Sequence, residues 1–146
     1  MPDDAVAQEL AEACAAAMWE EDAASQGLGM HLVAVAPGSA VLTMTVRGDM
    51  VNGHGICHGG YIFTVADSAF AFACNTYDEV TVAAAADITF VRAAKLGDEL
   101  TASGSEQVRY GRSGIYDIIV TDQDGEMVAV FRGRSRTIGG SITKRD

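Results

Sequence analysis

The chain has 146 residues, of which 49% are hydrophobic and 21% charged, a balance that excludes an intrinsically disordered protein. Its formal net charge of -10 disfavours nucleic acids and anionic membranes as partners, because both are negatively charged. No apolar run reaches the roughly 18 residues that a membrane-spanning helix needs. We therefore expect one folded domain over residues 1–146.

The compartment is predicted from the N-terminus and the cysteines. The first residues are acidic and lack the basic segment of a secretory signal. Cys14, Cys57 and Cys74 are odd in number and have no framework spacing, so we expect reduced thiols. These features predict a cytoplasmic protein.

The first half of the chain contains two predicted helices and two strands. Residues 4–24 are rich in Ala, Glu and Leu at helical spacing, which predicts an amphipathic helix ending near Gly27. Residues 30–36 and 39–47 alternate in polarity and predict a strand, a turn and a strand. Residues 59–75 form an almost wholly apolar segment, which predicts the central helix.

The second half is predicted to be nearly all strand, over residues 80–93, 98–109, 114–122 and 126–137. Ala83–Ala86 is ambiguous, because alanine favours helix while its neighbours favour strand. The order lacks βαβ alternation, so we expect an α+β fold with a mainly antiparallel sheet and helices on one face. An all-apolar helix must be buried on every side, so a second copy could cover what the sheet leaves open.

The central helix is preceded by a glycine-rich loop that ends in His58-Gly59-Gly60. The first amides of a helix have no intrahelical acceptor and lie at its positive end. Glycine there lets a substrate approach the backbone, which suits stabilisation of an oxyanion. The alternative is a tight turn that simply needs glycine.

Asp67 lies alone among the apolar residues of this helix. The hydroxyls of Thr64 and Ser68 are near enough to satisfy its carboxylate, which would make it structural. Alternatively, burial raises its pKa and makes it a competent base or nucleophile.

The spacing of Gly59 and Asp67 predicts an assembly. Eight residues at 1.5 Å rise place them about 12 Å apart, whereas a base must come within about 3 Å of its target or act through one water. Two antiparallel copies of the helix can bring Asp67 of one against Gly59 of the other. Catalysis by this pair therefore implies a twofold dimer with two sites at its interface.

Other roles remain open for the loop residues. His54, Cys57 and His58 could ligate a metal, but no second ligand cluster follows them. Cys57 and His58 could form a nucleophilic pair, although adjacent residues rarely meet in the required geometry. We expect Cys57 to be structural and Asn52 and His58 to form hydrogen bonds, either fixing the loop or contacting an acyl carbonyl.

Arginines of one parity mark the last predicted strand. Arg132, Arg134 and Arg136 should face the same way, as an anion site or as a solvated sheet face. The other basic candidates for anion binding are Arg109, Arg112, Lys144 and Arg145.

Three segments carry a family resemblance. The run N-G-H-x-x-C-H-G-G-x-x-F-x-x-A-D-x-A-F-A-x-A-C-N over residues 52–75 resembles the PaaI group of hotdog-fold acyl-CoA thioesterases. The segments G-I-Y-D-I (114–118) and F-R-G-R-S-x-x-I-G-G (131–140) are also similar to that group. The resemblance implies five or six antiparallel strands wrapped around the central helix, dimers that assemble into homotetramers, and hydrolysis of acyl-CoA thioesters such as hydroxylated phenylacetyl-CoA.

The resemblance also assigns roles to residues. Asp67 matches the catalytic carboxylate and Gly59 the oxyanion amide, while Asn52 and His58 match polar residues of the subunit that supplies Gly59. Further candidates for substrate binding are Gly60, Thr64 and Ser68, together with Arg132 and Arg134 for the CoA phosphates. No metal or redox cofactor is expected, because hydrolysis needs neither.

The sequence departs from this group in two places. Ala83–Ala86 has no hydroxyl where some relatives keep a serine near the attacking water, and residues 90–93 lack a proline common after Arg92. Two other functions remain open on this fold: an enoyl-CoA hydratase or dehydratase, and a non-catalytic acyl-CoA-binding protein. The second usually has an added DNA-binding segment, and no basic segment of that kind is visible here.

Overall fold

An antiparallel sheet of six strands forms the frame of the protein in the computed structural model, which describes residues 2–144. Its order is β1-β2-β4-β5-β6-β3, so β1 and β3 are the two edges. The strands are β1 (His31–Ala36), β2 (Ser39–Thr45), β3 (Thr81–Phe90), β4 (Glu99–Tyr110), β5 (Ser113–Thr121) and β6 (Met127–Thr137). The α+β expectation with an antiparallel sheet is confirmed.

Two helices, one long and one short, stand where a single helix is predicted. α1 spans Pro2–Glu21 and α2 spans Ala23–Gly27. The break falls at Asp22, whose carboxylate accepts a hydrogen bond from the Ser25 amide and so caps a new helix. α1 contacts β1 at one edge of the sheet, and its Trp19 ring lies 6.1 Å from that of Phe72. No described helix is long and apolar enough to cross a membrane.

The central helix, α3 (Gly59–Cys74), packs on one face of the sheet. Its buried side includes Val65, Ala66 and Ala69, which belong to the hydrophobic core. Close packing on β6 depends on a missing side chain, since a Cβ on Gly133 would lie 2.7 Å from the Phe70 ring. The alternation of buried and exposed residues along β5 and β6 fixes which face meets α3.

β3 is the exposed edge strand beside α3, and it includes the alanine run whose conformation the sequence left ambiguous. Ala83–Ala86 is extended because β3 pairs with β6, which overrides the helix preference of alanine. The register shifts between Ala83 and Ala85, so Ala84 lies in a bulge. The opposite edge of β3 has no strand partner among residues 2–144.

Candidate active site at the start of the central helix

One amide at the start of α3 is left free. His58 is the N-cap, and its Nδ1 accepts a hydrogen bond of 2.9 Å from the Gly60 amide. The Tyr61 amide donates to the His58 carbonyl at 3.0 Å. Within residues 2–144 the Gly59 amide donates to no acceptor. The Gly59 N–H is therefore available to a ligand at the positive end of a 16-residue helix.

The polar side chains of Asn52 and His58, which precede Gly59, each have a hydrogen-bond donor without a partner among the described residues. The Oδ1 of Asn52 accepts from the His54 amide at 2.9 Å and holds the loop, in which Gly55 has φ of 81°. Its Nδ2 donates to nothing in the described part of the chain. Because Nδ1 of His58 is an acceptor, the neutral imidazole carries its proton on Nε2. Both side chains therefore fix local structure, as predicted, and still present a donor.

An apolar cavity of about 320 Å³ opens beside this turn. Asn52 and Gly59 both line it, together with Ile62 from the first turn of α3 and Phe90 from β3. Phe90 and the neighbouring cavity residue Arg92 are absent from the sequence-derived candidates. Nothing local marks them, because they lie far along the chain and only the fold brings β3 to the helix start.

Asp67 is half-buried, and desolvation by burial raises the pKa of its carboxyl. The structural alternative gains no support, because both nearby hydroxyls form hydrogen bonds elsewhere. Thr64 Oγ1 donates to the Gly60 carbonyl at 2.7 Å, and Ser68 Oγ lies 2.8 Å from Ser25 Oγ. No residue in the described range 2–144 forms a hydrogen bond with the Asp67 carboxylate.

One side of α3 is uncovered. Its exposed and half-exposed residues include one stripe at helical spacing: Gly60, Phe63, Thr64, Asp67 and Ala71. On one border of the stripe, Phe63 lies 5.2 Å from Phe131 of β6, and on the other Ser68 meets α2. The single sheet therefore covers only part of this helix, and a second copy, as expected from the sequence, could cover the stripe that is left open.

Gly59 and Asp67 do not meet within one protomer. They lie in the same unbroken helix, eight residues and so about 12 Å apart along its axis. A single substrate carbonyl at the Gly59 amide is out of reach of the same chain's Asp67.

The arginines proposed for the CoA phosphates lie elsewhere. Positions 131, 133 and 135 of β6 are on the buried face that packs on α3, so Arg132 and Arg134 lie on the opposite face of the sheet. Arg132 forms a bidentate pair with Asp117 at 2.7 and 2.8 Å, and Arg134 pairs with Asp87 at 3.1 Å. The structure does not bring them to the Gly59 turn, and carboxylates already hold their guanidinium groups.

The remaining basic candidates are dispersed. Arg136 is on the same outer face as Arg134, and Arg109 stacks 3.6 Å from the centre of the Tyr77 ring. Arg112 and Lys144 are exposed, and Arg145 lies outside the described residues.

The metal and cysteine alternatives gain no geometric support. In the described part of the chain, no three His, Cys, Asp or Glu side chains are grouped to hold a metal ion. Cys57 is buried, and desolvation raises the pKa of its thiol, which disfavours the reactive thiolate.

Comparison with known proteins places this site in a family of enzymes. The model of the thioesterase superfamily matches residues 54–129, which include the end of the loop, α3 and the strands β3, β4 and β5. The chain belongs to the thioesterase superfamily, and with its hotdog fold it is a thioester hydrolase.

Individual relatives match most of the chain. It is 46% identical over 127 residues to the acyl-coenzyme A thioesterase PaaI of Escherichia coli K12, covering 87% of this chain and 91% of that protein. The E. coli PaaI structure, described as a protein of the phenylacetic acid degradation operon, superimposes with a TM-score of 0.90 at 43% identity, covering 92% of this chain and 97% of the other. A Streptococcus mutans UA159 protein bound to acetyl-CoA has a TM-score of 0.74 at 26% identity, covering 77% and 90%.

Proposed function

We propose that this protein hydrolyses acyl-CoA thioesters of the arylacetyl type, such as phenylacetyl-CoA and its hydroxylated forms, to the free acid and CoA. The observation that carries the proposal is a single helix with both an unpaired amide, at Gly59, and an unpaired carboxylate, at Asp67. The class of substrate is supported by the named acyl-CoA thioesterase at 46% identity and by the related structure that holds acetyl-CoA.

The donors around the cavity suit a thioester carbonyl. In this proposal its oxygen accepts from the Gly59 N–H, where negative charge develops during attack. Asn52 lines the same cavity, and its Nδ2 adds a second donor in this proposal. His58 precedes Gly59 without lining the cavity, and its Nε2–H adds a third. These donors are held by the loop and helix before substrate arrives, so little reorganisation is needed during the reaction.

Asp67 supplies the remaining chemistry by one of two routes. As a base, it takes a proton from water while the oxygen attacks the carbonyl carbon. The C–S bond then breaks, and the CoA thiolate leaves with that proton. As a nucleophile, the carboxylate displaces the thiolate to give a mixed anhydride, which water hydrolyses to the acid and a regenerated carboxylate.

The reacting pair comes from two subunits in this proposal. The Gly59 amide of one protomer and Asp67 of its partner meet at one carbonyl when two α3 helices lie antiparallel. The uncovered stripe of α3 and the free edge of β3 are both open to a second copy. We further propose a tetramer of two such dimers and, from three free buried cysteines, a reducing cytoplasmic setting.

The Asp67→Asn variant tests the assignment. It removes the base or nucleophile while keeping the size of the side chain. Thiol release from phenylacetyl-CoA should fall by at least about a hundredfold, the lower range for acid–base catalysis, and the oligomer should persist in gel filtration. Asp124→Asn in the exposed β5–β6 hairpin is the matched control and should keep full turnover. Near-normal turnover in Asp67→Asn would defeat the proposal.

A further inference from the structure

The wall of the cavity beside Gly59 contains one aromatic ring, that of Phe90, and this ring lies against the start of α3. Phe90 ends β3 and is 51% exposed. Its ring points at the first turn of α3, because a Cβ built on Gly59 would lie 3.0 Å from Cζ of Phe90 and 3.3 Å from Cε1. The tip of the ring therefore lies against the residue whose amide is free.

This contact limits where a substrate can lie. A carbonyl oxygen bound to the Gly59 N–H lies about 2.9 Å from that nitrogen. Because the tip of the Phe90 ring lies against Gly59, one of the two groups on the carbonyl carbon, the acyl chain or the sulfur arm of CoA, can lie along the ring.

The size and the apolar lining of the cavity favour the acyl chain over the CoA arm as its occupant. At about 320 Å³ it is at the lower end of small-molecule pockets and has no room for a whole CoA. Its lining side chains are apolar apart from Asn52 and Arg92. The pantetheine arm carries two amides that would lack partners against such a wall, whereas an arylacetyl group has none to satisfy.

The backbone that carries the ring is held in the sheet. Phe90 pairs with Ala129 in the β3–β6 ladder, and the next amide, that of Val91, donates to the Val128 carbonyl at 2.8 Å. This pairing fixes where the side chain starts, and two aromatic rings in edge or offset contact gain affinity beyond their buried area.

We propose that Phe90 determines the acyl specificity of this site: its exposed ring forms the acyl wall beside the Gly59 amide and selects flat aromatic acyl groups. This inference rests on the proposed thioesterase function and adds a specificity residue to it. The ring is not needed for the chemistry itself, so its removal should change substrate preference rather than abolish turnover.

The test compares Phe90→Ala and Phe90→Leu with the parent on phenylacetyl-CoA and acetyl-CoA. We expect kcat/KM for phenylacetyl-CoA to fall about tenfold in Phe90→Ala, from the lost ring contact, and kcat/KM for acetyl-CoA to stay within about twofold. The inhibition constant of free CoA should be unchanged. Phe90→Leu, which keeps an apolar side chain of similar length, is the second variant in case Phe90→Ala does not fold. It should show the same loss of preference for the aryl substrate.

Tyr110→Ala is the matched control, because Tyr110 is an aromatic of similar exposure on the outer face of the sheet, away from the cavity. It should leave the ratio of the two substrates unchanged. An equal loss of kcat/KM on both substrates in both Phe90 variants overturns the inference. Weaker inhibition by free CoA with an unchanged ratio of kcat/KM for the two substrates also overturns it, because that result would place the CoA arm against the ring. If the parent protein releases no thiol from any acyl-CoA, the proposed function itself fails, a result distinguishable from either of these.

Discussion

At the scale of single residues, Asp67 combines a raised pKa with a lack of hydrogen-bond partners. Either proposed route needs the ionised carboxylate, so turnover should be lost as the pH falls through its pKa. Because desolvation raises that pKa, we expect the acid limb of kcat/KM to lie above the range of an ordinary aspartate. The pH dependence of thiol release from phenylacetyl-CoA measures the midpoint.

The control for this titration is the residual activity of Asp67→Asn, which should lack the acid limb because amides do not ionise. A midpoint at or below the ordinary aspartate range would contradict the prediction. An acid limb that persists unchanged in Asp67→Asn would assign it to another group.

At the scale of elements, Asp78, in the connection between α3 and β3, forms hydrogen bonds with residues 141–143 near the C-terminus. Its carboxylate accepts from the amides of Ile142 and Thr143 at 2.8 and 2.9 Å, and from the hydroxyl of Ser141 at 2.9 Å. These donors, the Thr143 amide first, hold the pKa of Asp78 below its usual value. These hydrogen bonds are therefore strongest when the Asp78 carboxylate is ionised.

The folded-state pKa of Asp78 is lower than its unfolded value, so its stabilising contribution is present above the unfolded pKa and is lost as pH falls through the folded pKa. Asp78→Asn should cost about 1 kcal/mol near neutral pH and lower Tm by a few degrees. Asparagine tolerates the left-handed backbone (φ of 59°), so the substitution tests the charge. Equal melting temperatures at pH 7, or a difference that persists in strong acid, would disprove this role.

At the scale of the whole molecule, the proposed site needs two subunits, and mixed oligomers test this. Gly59→Pro removes the amide donor at a helix position that favours proline, and His58 already has the extended conformation required before it (φ -61°, ψ 131°). Gly59→Ala is its control, since it adds the Cβ beside Phe90 but keeps the N–H.

Gly59→Pro and Asp67→Asn should each be inactive as pure oligomers. When the two variants are mixed and allowed to exchange subunits, one site of each mixed dimer regains an intact amide and an intact carboxylate. About a quarter of parent thiol release should return, because half of randomly mixed dimers are hybrid and one of their two sites is whole. Failure to recover in oligomers shown by mass spectrometry to be hybrid would mean that the site lies within one chain.

The elements of this fold were predictable because each is encoded locally. A long, almost wholly apolar segment marked α3, alternation marked the strands, and His58-Gly59-Gly60 marked the helix start. The break at Asp22 was missed, since its capping carboxylate competes with an otherwise continuous helical pattern.

What the sequence determined by itself was which groups are chemically notable: a glycine amide at a helix start and a lone acid in an apolar helix. Only the tertiary structure decided which of them are free. His58 occupies the Gly60 amide and leaves that of Gly59, and carboxylates across the sheet occupy Arg132 and Arg134. The physical reason is that a polar atom's availability depends on every neighbour within about 3 Å, and most of those neighbours are remote along the chain.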